Sequence, residues 1–249
     1  MPFENFICVV TGEPVSVDDC IAHAVGEGGQ LAELGCHFRP TFLRGIADAL
    51  KDEPMLDGAV RVTQLLGCAK RAQWQQANPY NLNPRDAFAL FRGQIGHAIV
   101  ERFHDSEILL AEERLTAEIG GMMITGKPDA VLDTEHCHID DYKTTAYIPR
   151  EPYEHHIQQV NVYAWLIGKV KGVKIETASI VYFDMKEPRC LNAPVWSHKQ
   201  TETFLRDRVL LWKAVTPSPQ TWECKSCPLA ARGACEAALQ PTPRRSRLK

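Results

Sequence analysis

Residues 126–145 read GKPDAVLDTEHCHIDDYKTT. Composition and turn punctuation predict two short strands, with Pro128 making the first of them irregular. Residues two apart on a strand share a face, so Asp141 and Lys143 point the same way and Tyr142 points opposite. The register decides what they meet. A three-residue turn at Thr134–His136 pairs Asp129 with Asp141; a two-residue turn pairs Asp129 with Asp140 and puts Asp141 on the other face. Two carboxylates a few ångströms apart repel unless a cation neutralises them. Oxygen ligands of this kind suit Mg²⁺ or Mn²⁺, which keep waters and accept phosphate oxygens from a substrate. Such an ion lowers the pKa of a bound water, and a lysine beside it holds that water or offsets charge developing on phosphate. Taken alone, a D-x-K triplet is more often a weak surface ion pair.

The flanking segments change that balance. Upstream, VRVTQLLGCAKRAQWQQ (60–76) predicts a helix with Thr63 as N-cap and Cys68 in its middle, and NPYNLNP (78–84) predicts a loop. RDAFALFRGQIGHAIVERFH (85–104) carries Phe88, Phe91, Ile95, Ile99 and Phe103 at steps of three and four, an amphipathic helix. On another face of it stand Gly93, His97 and Glu101, where glycine permits close backbone approach and His97 with Glu101 forms a ligand pair or a ligand and its orienter. Residues 108–133 and 136–145 predict a strand meander, 154–170 a helix, 177–185 a strand and 201–215 a helix. QVNVY places Gln159 and Tyr163 one turn apart on the helix after the strands. The order predicts an α/β fold with a mixed central sheet flanked by helices.

Composition sets the outer bounds. At 249 residues, 45% hydrophobic and 24% charged, the chain is long enough for one large domain with a small appendage. A polar stretch with Pro54 and Gly58 predicts a boundary near Glu53–Asp57, dividing a cysteine-rich segment 1–55 from a domain 56–240 and a basic tail 241–249. No apolar run spans a bilayer and the N-terminus lacks a signal-peptide pattern, so a cytoplasmic protein with no membrane partner is expected. In a reducing compartment, nine cysteines favour metal over disulfides. The net charge of −3 argues against a strongly basic nucleic-acid binder without excluding one.

The motif order resembles one family. A helix with G-x-x-x-H, a strand with G-x-P-D, a strand with D-x-K and a helix with Q-x-x-x-Y are similar to the PD-(D/E)-x-K nucleases of the RecB-like branch. Within that branch the chain resembles the small iron–sulfur CRISPR-adaptation exonucleases of the fourth Cas family, from about Cys68 to Cys235. The resemblance implies that His97, Asp129 and Asp141 bind the Mg²⁺ or Mn²⁺, that Lys143 is the catalytic lysine, and that Gln159 and Tyr163 line the active site. Asp140 is the runner-up carboxylate and Glu101 an accessory candidate. The expected activity is trimming of single-stranded or frayed DNA ends, in prespacer processing or end resection, beside an integrase complex or a helicase. The alternative is a non-catalytic DNA-binding or assembly subunit that keeps the fold.

The cysteines extend the resemblance. CKSCPLAARGAC supplies Cys224, Cys227 and Cys235, and Cys68 stands alone far upstream. The family implies that these four bind a 4Fe–4S cluster, although the gap from Cys227 to Cys235 is long for the pattern and keeps zinc open. In residues 1–55, Cys8, Cys20, His23 and Cys36, with His37 as substitute, offer a Zn²⁺ site built on a C-x-x-H half-site. Cys137 and Cys190 have no partners at metal spacing and are expected in the core.

Overall fold

The computed structural model describes residues 3–26, 28–50, 58–100, 108–133, 136–184, 186–217, 223–224, 227–231 and 233–236. The expected boundary stretch Glu53–Asp57, the accessory candidate Glu101, the stripe residue Phe103 and the basic tail lie outside them. Two compact units emerge: Met1–Asp52, Gly67–Phe88 and Ala214–Lys249 form one, Glu53–Leu66 and Ala89–Lys213 the other. Among the described residues no helix is long and apolar enough to cross a membrane.

In the first unit, β1 (Phe3–Ile7) lies between antiparallel β2 (Pro14–Val15) and parallel β4 (Tyr80–Leu82). The turn after β1 needs Gly12, whose φ of +77° lets its N–H reach the Cys8 carbonyl. Helices α1 (Val17–Gly26), α2 (Gly28–Glu33) and α3 (Pro40–Ala49) follow. Ser16 caps α1 by accepting the Asp19 N–H at 3.0 Å, and α3 opens on proline and buries Leu43 and Ile46. Elements this short carry little periodicity, which is why the segment reads as irregular in sequence. The loop expected at 78–84 contains β4, held as a strand by its pairing with β1 rather than by propensity.

The helix expected over 60–76 is interrupted. Strand β3 (Val60–Arg61) and helix α4 (Val62–Leu66) belong to the second unit, and α5 (Ala69–Ala77) belongs to the first. Cys68 is not mid-helix; it caps α5, its sulfur accepting the Arg71 N–H at 3.5 Å. α9 (Pro228–Ala231) follows the last cysteine pair, and Cys227, Leu229 and Cys235 form a buried cluster against Trp74 and Ala230.

The second unit holds two sheets. The larger has the order β11 (Pro188–Ala193), β10 (Thr177–Phe183), β9 (His138–Thr144), β8 (Ala130–Leu132), β5 (Ile108–Leu110). Only β9 and β10 run parallel, joined by the crossover helix α7 (Glu154–Lys171), and the other pairs are antiparallel. The smaller sheet has the order β3, β7 (Met122–Gly126), β6 (Leu115–Ile119). Its β6–β7 hairpin turns on Gly120 and Gly121, at φ +59° and +71°, the conformation a tight two-residue turn demands. Helix α7 buries Val160, Val162, Tyr163, Trp165, Leu166 and Ile167, more than one face, and packs against α4, α8 (His198–Lys213) and strands of both sheets. The mixed α/β architecture is the expected one.

Two local expectations change. On α6 (Pro84–Val100), Phe88 and Phe91 of the expected apolar stripe are half-buried, but Ile95 is 44% exposed. Cys190 is exposed rather than buried, on β11, which among the described residues is an edge strand and is largely exposed along its length, and Cys137 is half-buried.

Candidate active site

The β8–β9 ladder pairs Leu132 with His138, Val131 with Ile139 and Ala130 with Asp140. In this register Asp129 comes opposite Asp141 just past the last ladder pair, as the three-residue turn predicts. The backbone leaves the strand there: Asp129 Oδ2 accepts the Tyr142 N–H at 2.6 Å, a side chain taking the ladder position a carbonyl would hold. Along β9, Ile139 and Asp141 are both fully buried, so an aspartate occupies a core-facing position that strand alternation would otherwise fill with a hydrophobe. Asp129 is 8% exposed. Lys143, two residues on and on the same face, sets its Nζ 2.7 Å from Asp141 Oδ2. Asp140 points to the opposite face, where it meets His138 Nε2 at 3.1 Å.

Charge balance follows from this packing. Burial alone would lower the Lys143 pKa, but the carboxylates of Asp141 and Asp129, with a smaller contribution from Glu112, outweigh it and hold the ammonium above its usual range. Lys143 is therefore a fixed cation at neutral pH. Tyr163 receives a 2.9 Å hydrogen bond from Gln159 Nε2, which leaves its own proton free to be donated. Burial first, then the Asp141 and Asp129 charges, push its pKa far upward, so the phenol stays neutral. It can sit this close because of Gly126: a Cβ there would lie 2.7 Å from the Tyr163 ring and 3.0 Å from Val62.

Helix α6 closes on the same strand ends. A Cβ at Gly96 would meet Phe183 at 2.5 Å and Thr144 at 3.3 Å, so Gly96, rather than Gly93, is the close-approach glycine. His97 follows it in α6; its side chain lies outside the described set. Thus Asp129, Asp141, Lys143, Gln159 and Tyr163 belong to the same unit and interact in one place.

Three further residues share this environment without a motif to announce them. Glu112, at φ +51°, donates its backbone N–H to the Pro128 carbonyl at 2.9 Å and pairs with Lys127 at 3.0 Å, tying β5 to the G-K-P-D segment. Its only sequence signal is an acidic pair in LLAEERL. His155 and His156, opening α7, have pKa values lowered by burial and then by Lys143; His156 falls to about 2. The His156 ring nitrogen Nδ1 accepts from the Tyr182 hydroxyl at 2.7 Å, and that hydroxyl accepts the Tyr153 N–H at 3.0 Å.

Two almost fully buried carboxylates against one ammonium leave excess negative charge, which low-dielectric burial makes costly. A divalent cation fits that donor set, with Asp129 and Asp141 as its carboxylates. When bound, it would acidify a water and polarise a phosphate oxygen. Lys143 then holds Asp141 in place through their 2.7 Å ion pair, and Gln159 and Tyr163 present neutral donors beside it. Among the described residues no three His, Cys, Asp or Glu side chains converge as a ready-made metal site.

Seven of the nine cysteines, all but Cys137 and Cys190, fall in the first unit. The Cys68 N–H donates to Glu223 Oε2 at 3.0 Å across 155 residues of sequence. The Cys224 thiol is raised by burial and then by Cys227, Cys235 and Cys68, so the four sulfurs lie within electrostatic reach. The Cys20 thiol is pushed to about 11 by burial, then by Cys36 and Cys8, whereas His23 and His37 are exposed.

Comparison with known proteins bears on the fold and the family. The fold is similar to that of SSO0001, with a TM-score of 0.61 and 20% identity over 86% of this chain and 100% of that one. An alkaline exonuclease, LHK-Exo from Laribacter hongkongensis, is more distant, at TM-score 0.40 and 14% identity over 69% of this chain and 92% of that one. No curated protein sequence matches. Residues 106–235 match the family described as the PD-(D/E)XK nuclease superfamily, a span that carries both aspartates, the lysine and the helix behind them. The chain belongs to the PD-(D/E)XK nuclease superfamily.

Proposed function

We propose that the protein is a Mg²⁺- or Mn²⁺-dependent DNA exonuclease that trims single-stranded or frayed ends. One observation carries the reading: a fully buried Asp141, ion-paired with Lys143 at 2.7 Å, stands beside a nearly buried Asp129 at the ends of paired strands. No packing purpose explains two carboxylates in a core position, whereas phosphodiester hydrolysis uses both. In this reading Asp129, Asp141 and His97 hold the ion, Lys143 positions the attacking water and offsets phosphate charge, and Gln159 and Tyr163 contact the substrate. Cys68, Cys224, Cys227 and Cys235 hold a 4Fe–4S cluster that staples the first unit, and Cys8, Cys20 and Cys36 with His23 hold Zn²⁺. The resemblance to the fourth Cas family favours prespacer processing in CRISPR adaptation, or end resection, in the cytoplasm with an integrase complex or a helicase.

The test is cleavage of end-labelled single- and double-stranded DNA beside a closed circle, with Mg²⁺, Mn²⁺ or chelator. Metal-dependent shortening of linear DNA, absent in folded Asp129→Ala and Lys143→Ala variants while the circle survives, is expected. Nicking of the circle would replace exonuclease with endonuclease at the same site. Inactivity of the metal-loaded protein would leave a non-catalytic DNA-binding subunit. Iron and labile-sulfide content, with a visible absorption lost in Cys227→Ser, tests the cluster; zinc content of Cys20→Ser tests the N-terminal site.

A further inference from the structure

The β3–β7–β6 sheet gathers cations at one end. Arg61 closes β3 in register with Thr125, and Arg114 immediately precedes Leu115, which pairs with Gly126, so Arg114 comes level with Lys127. These three cations, with Thr63, Thr125, Gly126 and Tyr163, line a cavity of about 160 Å³, room for roughly five waters. Lys127 keeps its 3.0 Å ion pair with Glu112 at the rim. Two features place the cavity against the carboxylate site: Lys127 is two residues before Asp129, and Tyr163 is a shared wall, bound to Gln159 on the catalytic side. A concave wall with two guanidiniums, an ammonium and the Thr63 hydroxyl matches a tetrahedral oxyanion, because guanidinium forks bind phosphate oxygens in pairs; the Thr125 hydroxyl already donates to the Leu115 carbonyl.

We propose that this cavity binds a phosphate group of the nucleic-acid strand whose neighbouring linkage lies at Asp129, Asp141 and Lys143, and so sets which bond is cut. The proposal rests on the nuclease reading for its substrate. Arg61 and Arg114 supply the forked donors and Lys127 a point charge. The phosphate belongs either to an internal linkage or to a strand end. Cations in the cavity beside carboxylates in the site fix the strand's register: the first draws phosphate oxygens directly, the second only through a cation.

Binding without cleavage tests it. Full-length wild type, Arg61→Gln and Arg114→Gln are titrated in chelator with a short single-stranded oligonucleotide, in forms with and without a 5′-phosphate and with one neutral methylphosphonate stepped along the backbone. Each arginine variant, checked for folding by circular dichroism, should bind about tenfold or more weakly, the worth of a charge-assisted hydrogen bond. One phosphate position should cost wild type a similar factor and cost Arg114→Gln nothing further, since the two changes remove the same contact. Loss on removing the 5′-phosphate assigns the terminal group; loss at one methylphosphonate assigns an internal one. Lys174→Gln, far more exposed, should change binding by no more than about twofold. Wild-type affinity in both arginine variants, or losses that add at every phosphate position, overturns the proposal. Cleavage in Mn²⁺ is scored separately. Cutting by variants that bind like wild type refutes the cavity and keeps the nuclease, whereas position-dependent binding with no cutting refutes the nuclease and keeps the cavity.

Discussion

At the scale of single residues, space around the site is as decisive as charge. Gly126→Ala puts a methyl group 2.7 Å from the Tyr163 ring. Overpacking of this kind costs about 1–3 kcal/mol, so urea unfolding should show that loss, with cleavage falling further because Tyr163 moves. Lys143→Ala leaves Asp141 buried without its ammonium, an expected loss of about 3 kcal/mol in chelator that added Mg²⁺ partly restores. Equal stability of variant and wild type in chelator would show that the pair does not hold the strand ends. Asp141 and Lys143 were legible in sequence because a spacing of two on one strand fixes their shared face, whereas the partner of Asp129 hung on a register that the sequence left open between Asp141 and Asp140. Glu112 and Arg114 were not legible, since only strand pairing brings them to the G-K-P-D segment.

At the scale of elements, α7 organises the second unit. Its buried Asn161 donates to the Ile157 and Pro194 carbonyls at 2.8 and 2.9 Å and accepts the Trp196 N–H at 2.6 Å, pinning the segment after β11. Asn161→Ala should cost on the order of 2 kcal/mol or more by leaving those groups unmet. The start of the helix is pH-sensitive. His156 is held neutral when folded, with a pKa near 2 against about 6.5 unfolded. The unfolded chain therefore binds the extra proton between those values, and stability present above pH 6.5 is lost as pH falls. Urea unfolding at stepped pH should show a slope approaching one proton from this residue, removed in His156→Gln; an unchanged slope would mean that His156 is free to protonate in the fold. Helix α7 was readable from its periodicity, but not its burial on several sides, which depends on two sheets and α4. The break at Gly67–Cys68 was missed for a related reason: both halves of 60–76 have helical composition, and only their membership of different units separates them.

At the scale of the whole molecule, the first unit is assembled from three separate stretches of chain. Glu223, 8% exposed, accepts from the Cys68 N–H, so Glu223→Ala should loosen that unit by about 1–3 kcal/mol. Hydrogen exchange should rise in peptides from residues 3–50 and 67–88 and stay unchanged in 108–213. The mixed α/β class followed from element order alone. The composition of the first unit did not, because β4 takes its strand form from β1, which precedes it by about seventy residues. The same discontinuity orders events on the ribosome. Residues 3–50 emerge first, yet Glu223, Cys227 and Cys235 emerge last, with the second unit's main span between them. Domains fold as their residues leave the exit tunnel. The strands bearing Asp129, Asp141 and Lys143 are therefore complete while the first unit still waits for its final stretch, and a nascent chain that has emerged as far as residue 213 carries the whole of the second unit without the stretch that completes the first.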